Sequence, residues 1–273
     1  GSFKIRGALN KVLSLSQDEM QRGLVTCSAG NHGQGVAYSA LLRGVGCTVF
    51  ASDHAAQVKL SAMTALGADV RFVRGGYVEA ETTAMRYAGE REQVFVSPYN
   101  DVMVVCGQGT LGIELSADLA NFADIRTLVV PVGGGGLLSG LGIYLSGLEK
   151  RPALVGVQST ASPFAYQLLK KGSQEGVVEM ESIAEGLAGE IAHDSITIPM
   201  LKQFADDILL VSEAEIEAAI RYAWEAYHEI IEGSAAVGLA ARLTGKISAL
   251  PAVLIVTGGN IQPSLHKRIA LGH

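Results

Sequence analysis

Lys4 stands in Gly-Ser-Phe-Lys-Ile-Arg-Gly-Ala, residues 1–8, and a primary amine is the group that condenses with an aldehyde. Far downstream, the consecutive glycines Gly133, Gly134, Gly135 and Gly136 separate an apolar run ending at Val132 from Leu137. Successive N–H groups unobstructed by Cβ atoms, at a helix start, make a cradle for a phosphate. Thr257 closes another apolar run just before Gly258-Gly259-Asn260, where its hydroxyl can face a ring nitrogen. Amine, cradle and hydroxyl together suit a phosphorylated heterocycle that carries an aldehyde. Each also has an ordinary explanation. Lys4, with Arg6 and Lys11 nearby, reads equally as a solvated lysine, the glycine run as a hinge, and Thr257 as a turn cap. A hinge is seldom wedged between a strand and a helix, so the cradle is the stronger signal. Its spacing is not Gly-x-Gly-x-x-Gly, and no placed acidic residue follows, which favours phosphate over a dinucleotide.

Ser28-Ala29-Gly30-Asn31-His32 sits where a strand passes into a helix. Ser28 and Asn31 either cap the first turn or, with free N–H groups and the positive helix end, hold a carboxylate. His32 is either a donor toward a ligand or the partner of a backbone carbonyl. Glu179, Glu181, Glu185 and Glu190 surround Gly186 and Gly189 as a solvated acidic face, or as carboxylates for a hard divalent ion. Glu232, just before Gly233-Ser234-Ala235-Ala236, is a helix-start charge or part of a ligand wall.

The elements that must position these groups alternate almost throughout. Strands are expected at 25–27, 47–51, 70–73 and 94–97, with helices at 32–43, 55–66 and 78–90 between them, Gly44, Gly67 and Gly89 acting as stops. That βαβ series implies a small parallel sheet covered by helices. A second series runs from a helix at 110–120 through strands at 127–132, 154–158 and 253–257. Helices are expected at 213–231, where Ser212 and Glu215 form a capping box, and at 233–243, and 163 to about 199 reads as a longer, less regular region. Residues 1–22 and 101–273 are expected to form a large domain, and 23–100 a small one.

Composition narrows the function. With 48% hydrophobic and 18% charged residues, the 273-residue chain is a folded α/β protein with one large core or two modest ones. A net charge of −6 with scattered Lys and Arg gives no basic stripe for nucleic acid. Cys27, Cys47 and Cys106 lack metal spacing and fit a reducing, cytoplasmic setting. The uncharged stretch 127–148 contains Pro131 and the glycine run, so no membrane span is expected. No basic-then-apolar leader opens the chain.

Taken together the segments resemble the fold type II pyridoxal phosphate enzymes, in the serine/threonine dehydratase group that includes serine racemase. The motifs are residues 1–8, Ser-Ala-Gly-Asn-His-Gly-Gln-Gly at 28–35, Gly-Gln-Gly-Thr at 107–110, and Val-Pro-Val-Gly-Gly-Gly-Gly-Leu at 130–137. Glu-Gly-Ser-Ala-Ala at 232–236 and Thr-Gly-Gly-Asn at 257–260 complete them. The resemblance implies a two-domain α/β fold like the tryptophan synthase beta subunit, each domain an open, mostly parallel sheet covered by helices. It implies Lys4 as the Schiff base lysine, with Phe3 packed on the cofactor and Asn31 bonded to the ring's phenolic oxygen. Ser28, Asn31 and His32 would receive the substrate carboxylate. Gly133 to Gly136, with Leu137, would hold the phosphate, Glu232 would join the wall, and Thr257 would face the pyridine nitrogen. Glu179 and Glu185 resemble a carboxylate pair that supports Mg2+, Mn2+ or Ca2+ in part of the group. The family also has several dozen residues before the lysine motif, so a front segment is expected to be missing.

The reaction implied is β-elimination from a 3-hydroxy amino acid such as L-threonine or L-serine, giving a 2-oxo acid and ammonia, by a homodimer. The alternatives are a serine racemase, a 3-hydroxyaspartate dehydratase, and a truncated cofactor-binding protein without turnover. Against racemisation, Ala29 stands where serine racemases carry a hydroxyl on the second face.

Overall fold

Four short apolar runs in the first hundred residues pair side by side, all parallel. They are β1 (Leu24–Cys27), β2 (Cys47–Ser52), β3 (Asp69–Val73) and β4 (Val94–Phe95), in the order β3-β2-β1-β4. The computed structural model describes residues 1–53, 57–119 and 124–272. Alternation along β1 and β2 divides the side chains between the two faces. Leu24 and Val49 join Ala8 and Val12 of α1 (Lys4–Leu13) and Val36 and Ala40 of α3 (Asn31–Arg43). Val25, Cys27 and Phe50 pack on the other face with Ala80, Ala84 and Ala88 of α5 (Tyr77–Glu90). Burial pushes the Cys27 and Cys47 thiols up to about 12, so both act as small hydrophobes.

A second four-stranded parallel sheet has β5 (Thr127–Pro131), β6 (Ala153–Ser159), β7 (Asp207–Val211) and β8 (Ala252–Leu254) in the order β7-β6-β5-β8. Its core joins Val129, Val157 and Val211 to Ile216, Ala219 and Ile220 of α10 (Glu213–Tyr227) and to the alanines of α11 (Gly233–Leu243). The expected capping box is present: Ser212 accepts from the Glu215 N–H, and Glu215 from the Ser212 N–H.

Several expectations are corrected. Residues 163–199 include two helices, α8 (Phe164–Lys171) and the start of α9 (Thr197–Phe204), separated by a 3-10 turn at Glu185–Leu187. Strand β7 falls outside the runs expected to be strands. Gly89 lies inside α5, whose end is taken over by Arg91, with Glu92 in a left-handed conformation. Thr257 lies beyond β8, and the helix expected from 110 begins at α6 (Val102–Asp118). Of the helix expected at 55–66, α4 (Gln57–Ala65) is described, and Ala55 and Ala56, like Ala120 at the end of the 110–120 helix, lie outside the described residues.

The chain divides into two compact units, Ser2–Gln108, and Gly1 with the chain from Gly109 onward. The expected division assigned 2–22 and 101–108 to the other side. In the structure α1 packs along α3, and a Cβ at Gly35 would lie 3.3 Å from the Lys4 carbonyl. Against α6 the approach is closer still. A Cβ at Gly107 would stand 2.6 Å from the Arg6 carbonyl oxygen and 2.7 Å from the Gly7 Cα. Those neighbours are backbone and cannot rotate away. Gly107→Ala should therefore lower stability by about 1–3 kcal/mol, read as a shift of the urea midpoint. An unchanged midpoint would show that α1 and α6 separate freely.

Candidate functional site

In the first unit Lys4 opens α1, next to Phe3 as the N-cap residue. Its Nζ donates to the Pro98 carbonyl at 3.2 Å and lies 5.2 Å from the centre of the Phe3 ring. The amine is half-buried, near the joint of β1 and α3. There the Ser28 hydroxyl accepts the Gly30 N–H at 3.1 Å, a local turn of the kind expected of a cap. Asn31 and His32 occupy the first turn of α3, whose leading N–H groups have no partner within the helix.

His32 is buried, 3% exposed, and its Nε2 lies 3.0 Å from the Val96 carbonyl oxygen. A carbonyl only accepts, so Nε2 carries the hydrogen and Nδ1 keeps a lone pair. Nδ1 is buried and has no hydrogen-bond partner among the described residues. A lone pair repels a carboxylate, so what His32 offers one is its backbone N–H. Burial first, and then the nearby Lys4 ammonium, push the imidazole down from 6.5 to about 3. A base depressed on folding takes up a proton on unfolding. Its contribution is complete above 6.5 and is lost as the pH falls toward about 3. The urea midpoint should drop as the pH is lowered below 6.5, and drop less in His32→Gln, which cannot titrate. Parallel profiles would contradict this.

In the second unit the glycine run links β5 to α7 (Gly136–Ser146). Gly135 is its left-handed N-cap, φ 84°, and a Cβ there would lie 2.9 Å from Leu201. A Cβ at Gly133 would lie 3.0 Å from the Leu187 Cα and 3.1 Å from the Gly186 carbonyl oxygen. Thr197 fixes the middle of the loop by donating to the Gly134 carbonyl at 2.7 Å. Leu137 is buried in the first turn of α7. The loop thus places residues without Cβ atoms at the positive end of an 11-residue helix. That fits a phosphate dianion.

Thr257 is buried in the same unit. One residue on, Gly258 accepts the Glu232 N–H at 3.1 Å, which sets the N-cap of α11 beside the Thr-Gly-Gly-Asn motif. Asn260 and Gly259 both bond to Gly1. Glu179 and Glu185 are exposed, and Glu179 accepts from Ser162 at 2.9 Å and from the Gly189 N–H at 2.6 Å. Among the described residues no group of three or more His, Cys, Asp or Glu is placed to hold a metal ion.

Three contributors escaped the sequence reading. The Pro98 carbonyl is one, since a backbone acceptor leaves no residue-type signal. Ser234, inside a motif already noted, accepts the Gly186 N–H at 2.9 Å and so backs the turn behind Gly133. Glu213, taken only as a helix start, accepts from the Ser182 hydroxyl and the Ile183 N–H at 2.7 Å each.

Residues 1–258 match the family model of the pyridoxal-phosphate dependent enzymes. The L-threonine ammonia-lyase of Thermotoga maritima is 37% identical over 270 residues, which are 98% of this chain and 66% of that protein. The serine racemase of Dictyostelium discoideum is 33% identical over 275 residues, 98% of this chain and 83% of that protein. The processed form of threonine deaminase isoform 2 from Solanum lycopersicum superposes with a TM-score of 0.89 at 30% identity, covering 99% of this chain and 79% of that one. This chain spans just under two thirds of the length of the ammonia-lyase. With a lysine at position 4, a glycine run at 133–136 leading into a helix and a family match over nearly all its length, the chain belongs to the pyridoxal-phosphate dependent enzymes of fold type II, in the threonine/serine dehydratase and racemase group.

Proposed function

We propose that this chain removes water from a small 3-hydroxy amino acid, L-threonine or L-serine, and so releases a 2-oxo acid and ammonia. Loss of water followed by hydrolysis balances the reaction without an oxidant. The observation that carries the proposal is the half-buried Lys4 amine resting on the Pro98 carbonyl, in a chain similar to a threonine ammonia-lyase. Pyridoxal phosphate, when bound, supplies the electron sink that makes the substrate Cα–H acidic. Lys4 Nζ would be the amine that holds the cofactor, and the same amine would be the base for the substrate Cα proton. The N–H groups of residues 133–136 and Leu137 would hold the phosphate, with Phe3 and Glu232 as the cofactor's wall. The Asn31 amide would hold the phenolic oxygen, and the Thr257 hydroxyl would be the partner of the ring nitrogen. The first-turn N–H groups of Asn31 and His32, with the Ser28 hydroxyl, receive the substrate carboxylate.

Ala29 decides between elimination and racemisation, because a methyl group cannot deliver a proton to the second face. With L-serine in deuterated water, pyruvate should form faster than deuterated D-serine. The reverse order would make the chain a racemase. Borohydride reduction followed by peptide mapping should place the pyridoxyl group on Lys4, and an adduct on another lysine with Lys4 clean would remove the basis of the proposal. Gly135→Ala should weaken cofactor retention by about tenfold or more, since the left-handed backbone and the Leu201 contact both resist a Cβ. Retention equal to the parent's would move the phosphate elsewhere.

A divalent cation at Glu179 and Glu185, completed by backbone carbonyls, is a separate proposal supported by the place of Glu185 in the turn behind Gly133. Mg2+, Mn2+ or Ca2+ should raise the melting temperature of the parent and not of Glu185→Ala. A homodimer and a cytoplasmic location are proposed on the same family resemblance. No helix among the described residues is long and apolar enough to cross a membrane.

A further inference from the structure

The connection from β4 to α6 presents two carbonyls whose uses are linked. The Val96 carbonyl accepts twice, from the buried Thr26 hydroxyl at 2.8 Å and from His32 Nε2 at 3.0 Å. The Val96 N–H in turn donates to Val25 at 2.8 Å, in line with the β1–β4 pairing. Two residues on, the Pro98 carbonyl accepts Lys4 Nζ at 3.2 Å. Between them the Ser97 hydroxyl takes the Asn100 N–H at 3.0 Å and turns the chain toward α6. Proline cannot donate, so nothing at residue 98 itself ties its backbone N to the sheet. The position of the Pro98 oxygen therefore depends on the segment before it.

We infer that His32 and Thr26 are positioning residues for the Lys4 amine, because both grip the Val96 carbonyl and so fix the Pro98 carbonyl on which Nζ rests. The inference rests on Lys4 being the reactive amine. Two further observations support it. His32 and Gly35 lie three residues apart on one face of α3, and Gly35 is the residue whose missing Cβ lets the Lys4 backbone approach. The grip also carries a cost, since His32 Nδ1 is left buried with no partner among the described residues, and such orphans in native structures call for a reason. A neutral imidazole supplies that reason. It gives one donor to Val96 at every working pH and never sets a second cation beside Lys4.

The test uses the full chain, stripped of pyridoxal phosphate and reloaded, with the loading rate followed by absorbance and the site confirmed by borohydride reduction and mapping. Thr26→Val keeps the shape and deletes one donor. His32→Leu deletes the other, and His32→Gln retains an N–H able to reach Val96. Thr26→Val and His32→Leu should each slow loading at Lys4 by about tenfold, the factor that one ordinary hydrogen bond supplies. His32→Gln should stay within about threefold of the parent by the same reckoning. In the two deletions the rate-against-pH profile should also move to lower pH, because a displaced carbonyl stabilises the ammonium less. The kcat for L-threonine should fall with KM near the parent's. Loading in Thr26→Val at the parent's rate and with the parent's pH profile overturns the inference. So does His32→Gln slowed as much as His32→Leu. An adduct that maps in the parent to a lysine other than Lys4 overturns the underlying reading as well, which separates the two failures.

Discussion

A Cβ on Gly233 would stand 2.1 Å from the carbonyl oxygen of Ile183, and one on Gly107 would stand 2.7 Å from the Cα of Gly7. At both places backbone meets backbone with nothing between. The structure depends on this constraint, because the candidate amine and the glycine run hang directly from the contacts. Gly7 lies in the first turn of α1, one turn beyond Lys4, so the closeness of α1 and α6 fixes the helix end that carries the amine. Gly233 opens α11, and its contact with Ile183 places the turn whose next residues abut Gly133. Moving either pair apart by the width of a methyl group would displace the amine or the cradle by a comparable amount. Side-chain chemistry of this kind tolerates little such error.

Close backbone approach leaves polar groups needing partners, and a few side chains meet much of that demand. In the first unit Asp101 accepts the Met103 and Val104 N–H groups, caps α6, and pairs with Lys11 at 2.8 Å. Both members of that pair are mostly shielded, so it is a firmer tie than the surface ion pairs elsewhere, which contribute little each. In the second unit Glu213 does the equivalent work for 182–183, and Asp206 binds Arg151 and the Leu154 N–H at the start of β6. Each carboxylate accepts from several donors at once. That is how an irregular chain stays ordered without a ladder of its own.

Legibility in the sequence followed the same division. The parallel strands other than β7, and the helix after Ser-Ala-Gly-Asn, were legible because most are short apolar runs with a glycine or polar joint at their edges. Helix α1 was not, since Gly7 and Ala8 face neighbouring helices on different sides and blur the 3.6-residue period. Helix α9 was hidden by Ile196 in the cap position, with no side-chain hydrogen bond, and by Pro199 in its first turn. The candidate residues themselves stood out through their types and joints. The His32 ring carried both of its readings, and the structure selects the bonded one, through Val96. What remained out of reach were the carbonyls, Val96 and Pro98 above all, because every residue has one and only the fold says which are used.

The stretch from 173 to 195 shows how much order such acceptors provide. Apart from one 3-10 turn it has no regular structure, yet its ends are pinned. The Gln174 amide donates to the Ile191 carbonyl and accepts the Ile191 N–H, both at 2.9 Å, closing the loop as a strand partner would. Within it, Glu179 holds Gly189, and Glu213 holds Ile183. Between these pins Val178 and Met180 are exposed, at 79% and 58%. A loop pinned through its backbone and by carboxylates, with Met180 also tied by its N–H to the Ala161 carbonyl at 2.8 Å, can change its exposed side chains with little effect on the turn at Gly186. The exposed residues can therefore vary around a constant turn, because the pins that hold the turn are separate from the residues left open to change.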